Sequence, residues 1–316
     1  MLAVSSDGID FVSPIFLDVK PMSLTIAHLG PAGTHAETAA LIYANWLQQH
    51  QQQQADLIPC LSISQSLRMV AEGNADLAVV PVENLIEGSV TATFDTLWQL
   101  DQLQIQQELV LPIVHALLSQ AQDLTSITTV YSHPQALAQC QDWLECNIPA
   151  ARLVPTASTT DALQHLDNCT SAAITSPRAA TLYHLPVLAC PINDQPDNCT
   201  RFWALSLQPS PGGHRTSLAF TLHDTPGALV KSLQVFADYT VNLSKIESRP
   251  TKRSLGEYLF FVDLEADAHE PMVQAALESL VPVTETLKIF GSYNILPTEA
   301  RAKTGHILHG EKLSPP

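Results

Sequence analysis

The sequence predicts an α/β protein: a two-lobed domain with a cleft between its lobes, followed by a smaller ferredoxin-like βαββαβ module. Three observations carry this prediction. Apolar runs of strand length alternate with helix-like segments over most of the chain, the pattern of βαβ units and a mainly parallel sheet. A proline- and glycine-rich stretch, Pro209-Ser210-Pro211-Gly212-Gly213, then breaks the alternation and reads as a linker. Beyond it the order becomes strand, helix, strand, strand, helix, strand within about 80 residues, the length of one such module.

Taken in order, residues 24–29 read as a strand, Gly30-Pro31-Ala32-Gly33-Thr34 as a turn, and the Ala-rich segment toward Trp46 as a helix. Residues 48–54 are nearly all glutamine and are expected as a solvated loop, because glutamine tracts bury nothing. A helix over 64–71, a strand over 76–82 and a helix after Gly88 continue the alternation. Residues 109–118 read as one buried strand, 128–131 as another, and 135–145 as a helix with Trp143 on its apolar face. Residues 171–174 form a short strand feeding a helix around Ala179, and 202–205 an apolar strand. Two such sets joined by crossovers predict lobe 1 at about 23–105 plus 187–208 and lobe 2 at about 106–186, with a small-ligand cleft between them. In the C-terminal module, 215–297, strands are expected at 216–222, 243–248, 258–264 and near 288–290, with helices at 227–239 and from Pro271. Residues 1–22 are expected as a disordered leader or upstream start, and 298–316 as a flexible tail.

Composition narrows the function. The 316 residues carry 15 Lys plus Arg against 31 Asp plus Glu, a formal charge of −16, which argues against a nucleic-acid or membrane-surface partner. With 46% hydrophobic and 15% charged residues the chain can bury a large core. Its longest apolar runs, such as that ending at Val82, fall well short of the roughly 20 residues that cross a bilayer. Six cysteines without a CxxC pair, and no zinc spacing with the 12 histidines, read as thiols of a reducing compartment and predict a cytoplasmic location. Asp7, Asp10 and Asp18, with no basic cluster before Lys20, fit neither a signal nor a transit peptide.

Four local motifs offer chemistry. Asp197-Asn198-Cys199-Thr200-Arg201-Phe202-Trp203 sets a hydroxyl beside a guanidinium at a strand mouth, or equally places a surface Thr and Arg in a turn. Gly30-Pro31-Ala32-Gly33-Thr34 opens a helix whose amides suit an anion, or is a plain turn. It lacks both a Gly-Lys-Ser/Thr ending and a GxGxxG, so no nucleotide loop is present. The strand end at Pro81-Val82-Glu83-Asn84-Leu85-Ile86-Glu87-Gly88-Ser89-Val90 is either an ordinary helix cap or a ligand rim of the kind α/β sheets place there. In Ser132-His133-Pro134-Gln135, His133 is an acid–base candidate or part of a proline-led turn. His115 reads as a core imidazole and Cys199 as a packing residue. No Ser-His-Asp or Cys-His set can be assembled.

These motifs together resemble a known family. Tyr183, Leu185, Leu188, Asp194, Thr200-Arg201-Phe202-Trp203 and Leu205 resemble one signature of the prephenate dehydratase family. Leu243-Ser244-Lys245-Ile246-Glu247-Ser248-Arg249-Pro250 resembles the second, in that family's C-terminal ACT domain. The resemblance spans about 23–297 and includes the Gly30 to Thr34 turn, Glu83-Asn84, Glu87-Gly88, Ser132 to Gln135, Ser158-Thr159, and Ser176 with Ala179-Ala180. It implies a periplasmic-binding-protein-like catalytic domain at 23–208 and an ACT regulatory domain at 215–297. The implied reaction removes water and carbon dioxide from prephenate to give phenylpyruvate, on the route to phenylalanine. Aromatisation drives the step, so neither a cofactor nor a metal is implied.

The resemblance also implies roles for residues. Thr200 is the catalytic residue, its hydroxyl donating or relaying a proton to the leaving oxygen, with Arg201 beside it either forking a carboxylate or bracing the loop. Thr34, Asn84, Ser89, Ser158, Thr159, Ser176 and Phe202 are implied substrate contacts. Leu85 stands where the family usually has Ser, and Thr160 where Ala is usual. In the ACT domain, Gly227, Ala228, Leu229, Asn242, Leu243, Glu247, Ser248 and Arg249 are the implied phenylalanine site. Effector binding between paired domains implies a homodimer or a dimer-of-dimers tetramer, with substrate and phenylalanine opposing each other through one coupling factor. Two other readings stand beside this one, an arogenate dehydratase and a catalytically silent sensor of an aromatic acid.

Overall fold

A computed structural model describes residues 23–253 and 256–296. The expected leader at 1–22 and tail at 298–316 lie outside the described residues. Lobe 1 begins β1 (Leu24–Leu29), α1 (His35–Gln51), β2 (Ala55–Cys60), α2 (Ile63–Ala71), β3 (Leu77–Asn84), β4 (Gly88–Ser89), α3 (Thr91–Gln99) and β5 (Gln104–Pro112). Lobe 2 follows with β6 (Ala116–Ser119), β7 (Thr129–Ser132), α4 (Pro134–Ala138), α5 (Gln141–Asn147), β8 (Arg152–Pro155), β9 (Ser171–Thr175), α6 (Pro177–Tyr183) and β10 (Val187–Ala189). The chain then returns to lobe 1 as β11 (Cys199–Ser206). The C-terminal module is β12 (Arg215–Thr221), α7 (Ala228–Asp238), β13 (Leu243–Pro250), β14 (Tyr258–Leu264), α8 (Pro271–Leu280) and β15 (Thr286–Tyr293), with a last short strand β16 (Ile295–Leu296).

Several expectations shift. The glutamine tract is not all loop: α1 continues to Gln51 and ends where Gln52 takes a left-handed conformation, with φ 56°. Its apolar face, Ala36, Ala39, Ala40, Tyr43 and Leu47, recurs at helical spacing and is buried, which carries the polar tract along with it. Strand β2 went unpredicted because Pro59 and its half-exposed neighbours hide it; it is an edge strand, where a missing N–H costs nothing. The predicted single strand at 109–118 is two strands in different sheets. Pro112 ends β5, and residues 113–115 cross between lobes before β6 begins. The lobe boundaries move accordingly: β5 pairs along β11 and stays in lobe 1, whereas β10 pairs with β6 and belongs to lobe 2. The helix expected at 135–145 is broken into α4 and α5.

The lobe 1 sheet has the order β16-β5-β11-β3-β1-β2, with β4 paired to β3. The lobe 2 sheet is β10-β6-β9-β7-β8, and the C-terminal sheet β13-β14-β12-β15. In lobe 1, β1 runs parallel to β2 and β3, while β11 is antiparallel to both β3 and β5. The C-terminal sheet is covered on both faces. Leu218, Phe220, Val262 and Leu264 pack under α7 and α8 against Phe236, Val273, Ala276 and Leu280. From the opposite face Ala219, Leu259, Phe261, Phe290 and Tyr293 join the lobe 1 core around Phe94 and Trp203. The module is therefore docked rather than tethered. The linker fits closely: at Gly213 a Cβ would lie 2.2 Å from the Tyr293 carbonyl carbon, which only glycine avoids.

Candidate active site

A cavity of ≈ 330 Å³ opens between the lobes. Lobe 1 lines it with Thr34 and His35 at the start of α1, Asn84 at the end of β3, and Thr200 and Phe202 on β11. Lobe 2 adds His133, Gln135, Gln139 and Thr159, and His115 lines it from the crossing segment. None of its lining residues is Lys, Arg, Asp or Glu. The N-terminus of the 17-residue α1 faces it, so the positive end of a helix dipole is available to an anion.

Its polar centre is Asn84. In register, Asn84 on β3 stands opposite Thr200 on β11. The Asn84 amide donates to Thr200 Oγ1 at 2.9 Å and to Asn198 Oδ1 at 3.0 Å, while its carbonyl accepts from the Ile86 and Glu87 backbone amides at 3.0 and 3.1 Å. Asn198 Nδ2 donates to Gln139 Oε1 at 3.0 Å, and Gln139 Nε2 donates to Glu87 Oε1 at 3.3 Å. His115 Nε2 lies 3.1 Å from the same Gln139 oxygen, so it is the protonated nitrogen of a neutral ring. Thr200, Asn84, Asn198, Gln139 and His115 thus form one buried network spanning both lobes. Because Asn84 uses the acceptor side of the Thr200 hydroxyl, the Thr200 proton is left to donate.

Two histidines sit beneath this network. His35 Nε2 donates to the Val114 carbonyl at 3.1 Å, and its ring meets His115 edge to face at 5.5 Å between centroids. Burial, and then repulsion from His115, lower the His35 pKa to about 4; burial lowers that of His115. Both rings are neutral near pH 7, so they add no charge to the cavity.

The structure distributes the expected site residues unevenly. Thr34, Asn84, Thr159, Thr200 and Phe202 come together at the cavity. Thr34 also caps α1, accepting from the Glu37 amide at 3.3 Å. Ser158 is a turn residue, accepting from the Asp161 amide at 2.9 Å. Ser176 caps α6 and donates to the Gly33 carbonyl at 2.6 Å, clasping one lobe to the other. The Gly33 amide is in turn taken by Glu37 at 2.7 Å, so this turn is a lobe contact and not an open anion cradle. Ser89 faces away from the cleft toward Lys245 Nζ, 2.9 Å away.

Arg201 is the largest correction. Side chains alternate along a strand, so with Thr200 and Phe202 facing the cleft Arg201 faces the opposite side. There its guanidinium meets Glu83 at 2.8 Å, Glu108 at 2.7 Å and Asp263 at 2.9 Å. Three carboxylates hold it, so of the two roles expected for it, a fork for a substrate carboxylate or a brace, its placement fits the brace and not a catalytic contact.

In the C-terminal module, Ala228 and Leu229 line a cavity of ≈ 580 Å³ with Leu222, His223, Tyr258 and Phe260. Gly227 precedes α7 with φ 79°, a conformation that favours glycine. The other expected effector residues do not line that cavity. Asn242 is bonded to Glu265 at 2.6 Å, and Ser248 is exposed on the edge strand beyond Leu243. Arg249 pairs with Asp95 of α3 at 2.8 Å, and Glu247 lies between Lys245 and Arg249 on the side facing lobe 1. Alternation along β13 puts them there.

Sequence reasoning missed His35, Gln139 and Asn198 and took His115 for core. Asn198 lay inside the quoted motif, and its amide type was the available signal. Gln139 at the end of α4 had none.

The prephenate dehydratase family model matches residues 26–210 and an ACT domain model matches 216–282. The bifunctional chorismate mutase/prephenate dehydratase of Aquifex aeolicus is 41% identical over 274 residues, 85% of this chain and 73% of the relative. The prephenate dehydratase of Amycolatopsis methanolica is 36% identical over 274 residues, 85% of this chain and 88% of the relative. The crystal structure of prephenate dehydratase from Arthrobacter aurescens in complex with L-Phe is similar at TM-score 0.75 and 34% identity, covering 91% of this chain and all of that one. A charge-free cleft centred on Asn84 and Thr200, a docked ACT module and these matches agree: the chain belongs to the prephenate dehydratase family, whose reaction is that of a hydro-lyase.

Proposed function

We propose that the interlobe cleft converts prephenate to phenylpyruvate, with Thr200 as the proton donor to the departing ring hydroxyl. The observation that carries this is the Asn84–Thr200 hydrogen bond, which orients the Thr200 hydroxyl and leaves its proton free inside a cavity with no charged lining. A threonine hydroxyl is a weak acid, so orientation and the drive toward an aromatic ring supply much of the effect. The same neutral lining suits loss of carbon dioxide, since a desolvated ring carboxylate loses less by leaving. The second carboxylate would be held by the first amides of α1, at His35 and Ala36, and the hydroxyl of Thr159, since the Thr34 hydroxyl donates to the Pro31 carbonyl at 3.0 Å. Arogenate would bring an ammonium group, and no Asp or Glu lines the cavity to receive it. That favours prephenate. The test follows phenylpyruvate formed from prephenate by ultraviolet absorbance and phenylalanine formed from arogenate by amino-acid analysis: a higher kcat/KM on arogenate overturns the substrate assignment, and full activity of Thr200→Ala overturns the role of Thr200.

The ACT module is read as a phenylalanine sensor that works between paired copies. Gly227, Ala228 and Leu229 open α7 beside a cavity, and β13 lies at the free edge of its sheet with Ile246 47% exposed. An uncovered edge strand invites pairing, which would bring Asn242 to Ser248 of a second copy toward that cavity. The expected assembly is a homodimer or dimer of dimers, slowed by phenylalanine; a monomer in sedimentation, or a rate indifferent to phenylalanine, counts against it. Among the described residues no helix is long and apolar enough to cross a membrane, and all six cysteines are free thiols. A cytoplasmic site of action follows from this reading.

A further inference from the structure

Behind the cleft lies a buried group of charges that the reaction does not touch. Glu108 of β5, fully buried, joins Arg201 of β11 at 2.7 Å and Arg215 of β12 at 2.9 Å. Asp263 of β14, 4% exposed, closes on Arg201 at 2.9 Å. Its other oxygen accepts from Ser217 at 2.6 Å, and Ser217 is bonded to Tyr293, so the ACT sheet itself fixes this carboxylate. Glu83 of β3 takes Arg201 at 2.8 Å and Lys245 of β13 at 3.2 Å. Three strands of the catalytic lobe, β3, β5 and β11, and three of the ACT sheet, β12, β13 and β14, therefore share one ionic cluster.

Its position matters more than its strength. Arg201 and Glu83 stand opposite each other in register one residue from the pair Thr200 and Asn84, and a β-bulge between Arg201 and Phe202 lies at this point. Bulges re-aim the side chains beside them. A buried ion pair adds little net stability but is strict about geometry, because separating the partners strands a charge away from water. A shift of the ACT sheet must carry the strand ends with it or break the cluster.

We propose that Arg201 is a positioning residue: through Glu83, Glu108 and Asp263 it ties the strand ends bearing Thr200 and Asn84 to the ACT sheet, so the cleft's geometry follows the placement of that domain. The proposal rests on the reading of Thr200 given above. Lys245, bonded to Glu83 and Ser89, is a second arm from β13, the strand of the ACT signature.

The experiment measures kcat and KM on prephenate for Asp263→Asn, alone and combined with Thr200→Ala. Asp263→Asn is expected to lower kcat about 10- to 100-fold with KM changed by less than about threefold, the signature of misplaced catalytic groups. In the Thr200→Ala background the same change is expected to cost less than about threefold, because the group it positions is gone. Lys252→Ala cuts a different bridge between the same two bodies, to Asp95, with Lys252 64% exposed, and is expected to keep the wild-type kcat. Wild-type kcat for folded Asp263→Asn, losses that multiply in the double variant, or an equal loss in Lys252→Ala would each overturn the proposal. Should Asp263→Asn fail to fold, Glu83→Gln, whose side chain is 32% exposed, replaces it with the same expectations. If Thr200→Ala alone is fully active, the reading of Thr200 falls, and the cycle on Asn84→Ala still decides whether the cluster positions the cleft.

Discussion

The two faces of β3 and β11 are opposites in charge. Toward the cleft, Asn84 and Thr200 present an amide and a hydroxyl in a cavity lined by no Lys, Arg, Asp or Glu. Toward the ACT sheet, their immediate neighbours Glu83 and Arg201 enter a cluster with Glu108, Asp263, Arg215 and Lys245. The contrast teaches that an enzyme for a dianion need not place cations at its site. In the proposed reading, helix amides and neutral donors would bind the carboxylates, while the full charges sit on the opposite face and hold the scaffold in register.

The comparison predicts that the cleft face acts on rate alone, whereas breaking the charged face strands buried charges and so costs stability, besides the positioning effect on kcat proposed above. The largest effect is expected from Thr200→Ala, a fall in kcat of about 10²- to 10⁴-fold for loss of a positioned proton donor, with an unchanged unfolding midpoint; initial rates of phenylpyruvate formation and a thermal melt check both halves. Glu108→Gln is expected to lower stability by about 3 to 5 kcal/mol, because Arg201 and Arg215 keep their charges in a buried site that has lost its anion. Urea unfolding measures it, and a loss below about 1 kcal/mol would show that water or rearrangement compensates the cluster.

The third test concerns pH. His35, held at about 4 against an ordinary value near 6.5, binds its proton more readily in the unfolded chain. Its contribution to stability is therefore complete above pH 6.5 and is lost as pH falls toward 4. Between pH 7 and 4.5 the wild type is expected to lose about 2 to 3 kcal/mol more than His35→Gln, by parallel denaturant titrations. Equal losses would mean that the ring stays accessible to protons in the folded state. The smallest effect is expected at the rim. Leu85, 64% exposed at the position where the family resemblance leads one to expect Ser, should tolerate Leu85→Ser with a stability change under about 0.5 kcal/mol and little change in KM. A large drop in KM would instead make that hydroxyl a substrate contact.

Much of the fold was legible because periodicity and punctuation agree with burial. The alternation before Pro209 and the βαββαβ order after it both appear in the structure, as does the Gly30 to Thr34 turn that opens α1. The failures have physical causes. Leu109 to Leu118 reads as one apolar run because both of its strands are buried, and nothing in hydrophobicity says that they belong to different sheets. Glutamines ride on α1 because its opposite face is packed. At the site, Thr200 and Asn84 were legible as motif residues, whereas Gln139 comes from the far lobe and His115 from the crossing segment, and both join only through the Asn198 network.

What the sequence determined by itself was the kind of chemistry and the family: local order, turn residues and the run around Thr200-Arg201-Phe202 are properties of neighbours along the chain. What only the tertiary structure decided was which way each member of that run points. Adjacent residues on a strand face opposite sides, so Thr200 serves the cleft and Arg201 the ACT interface. Their partners are 116 residues away at Asn84 and 62 at Asp263, distances over which composition and spacing carry no register.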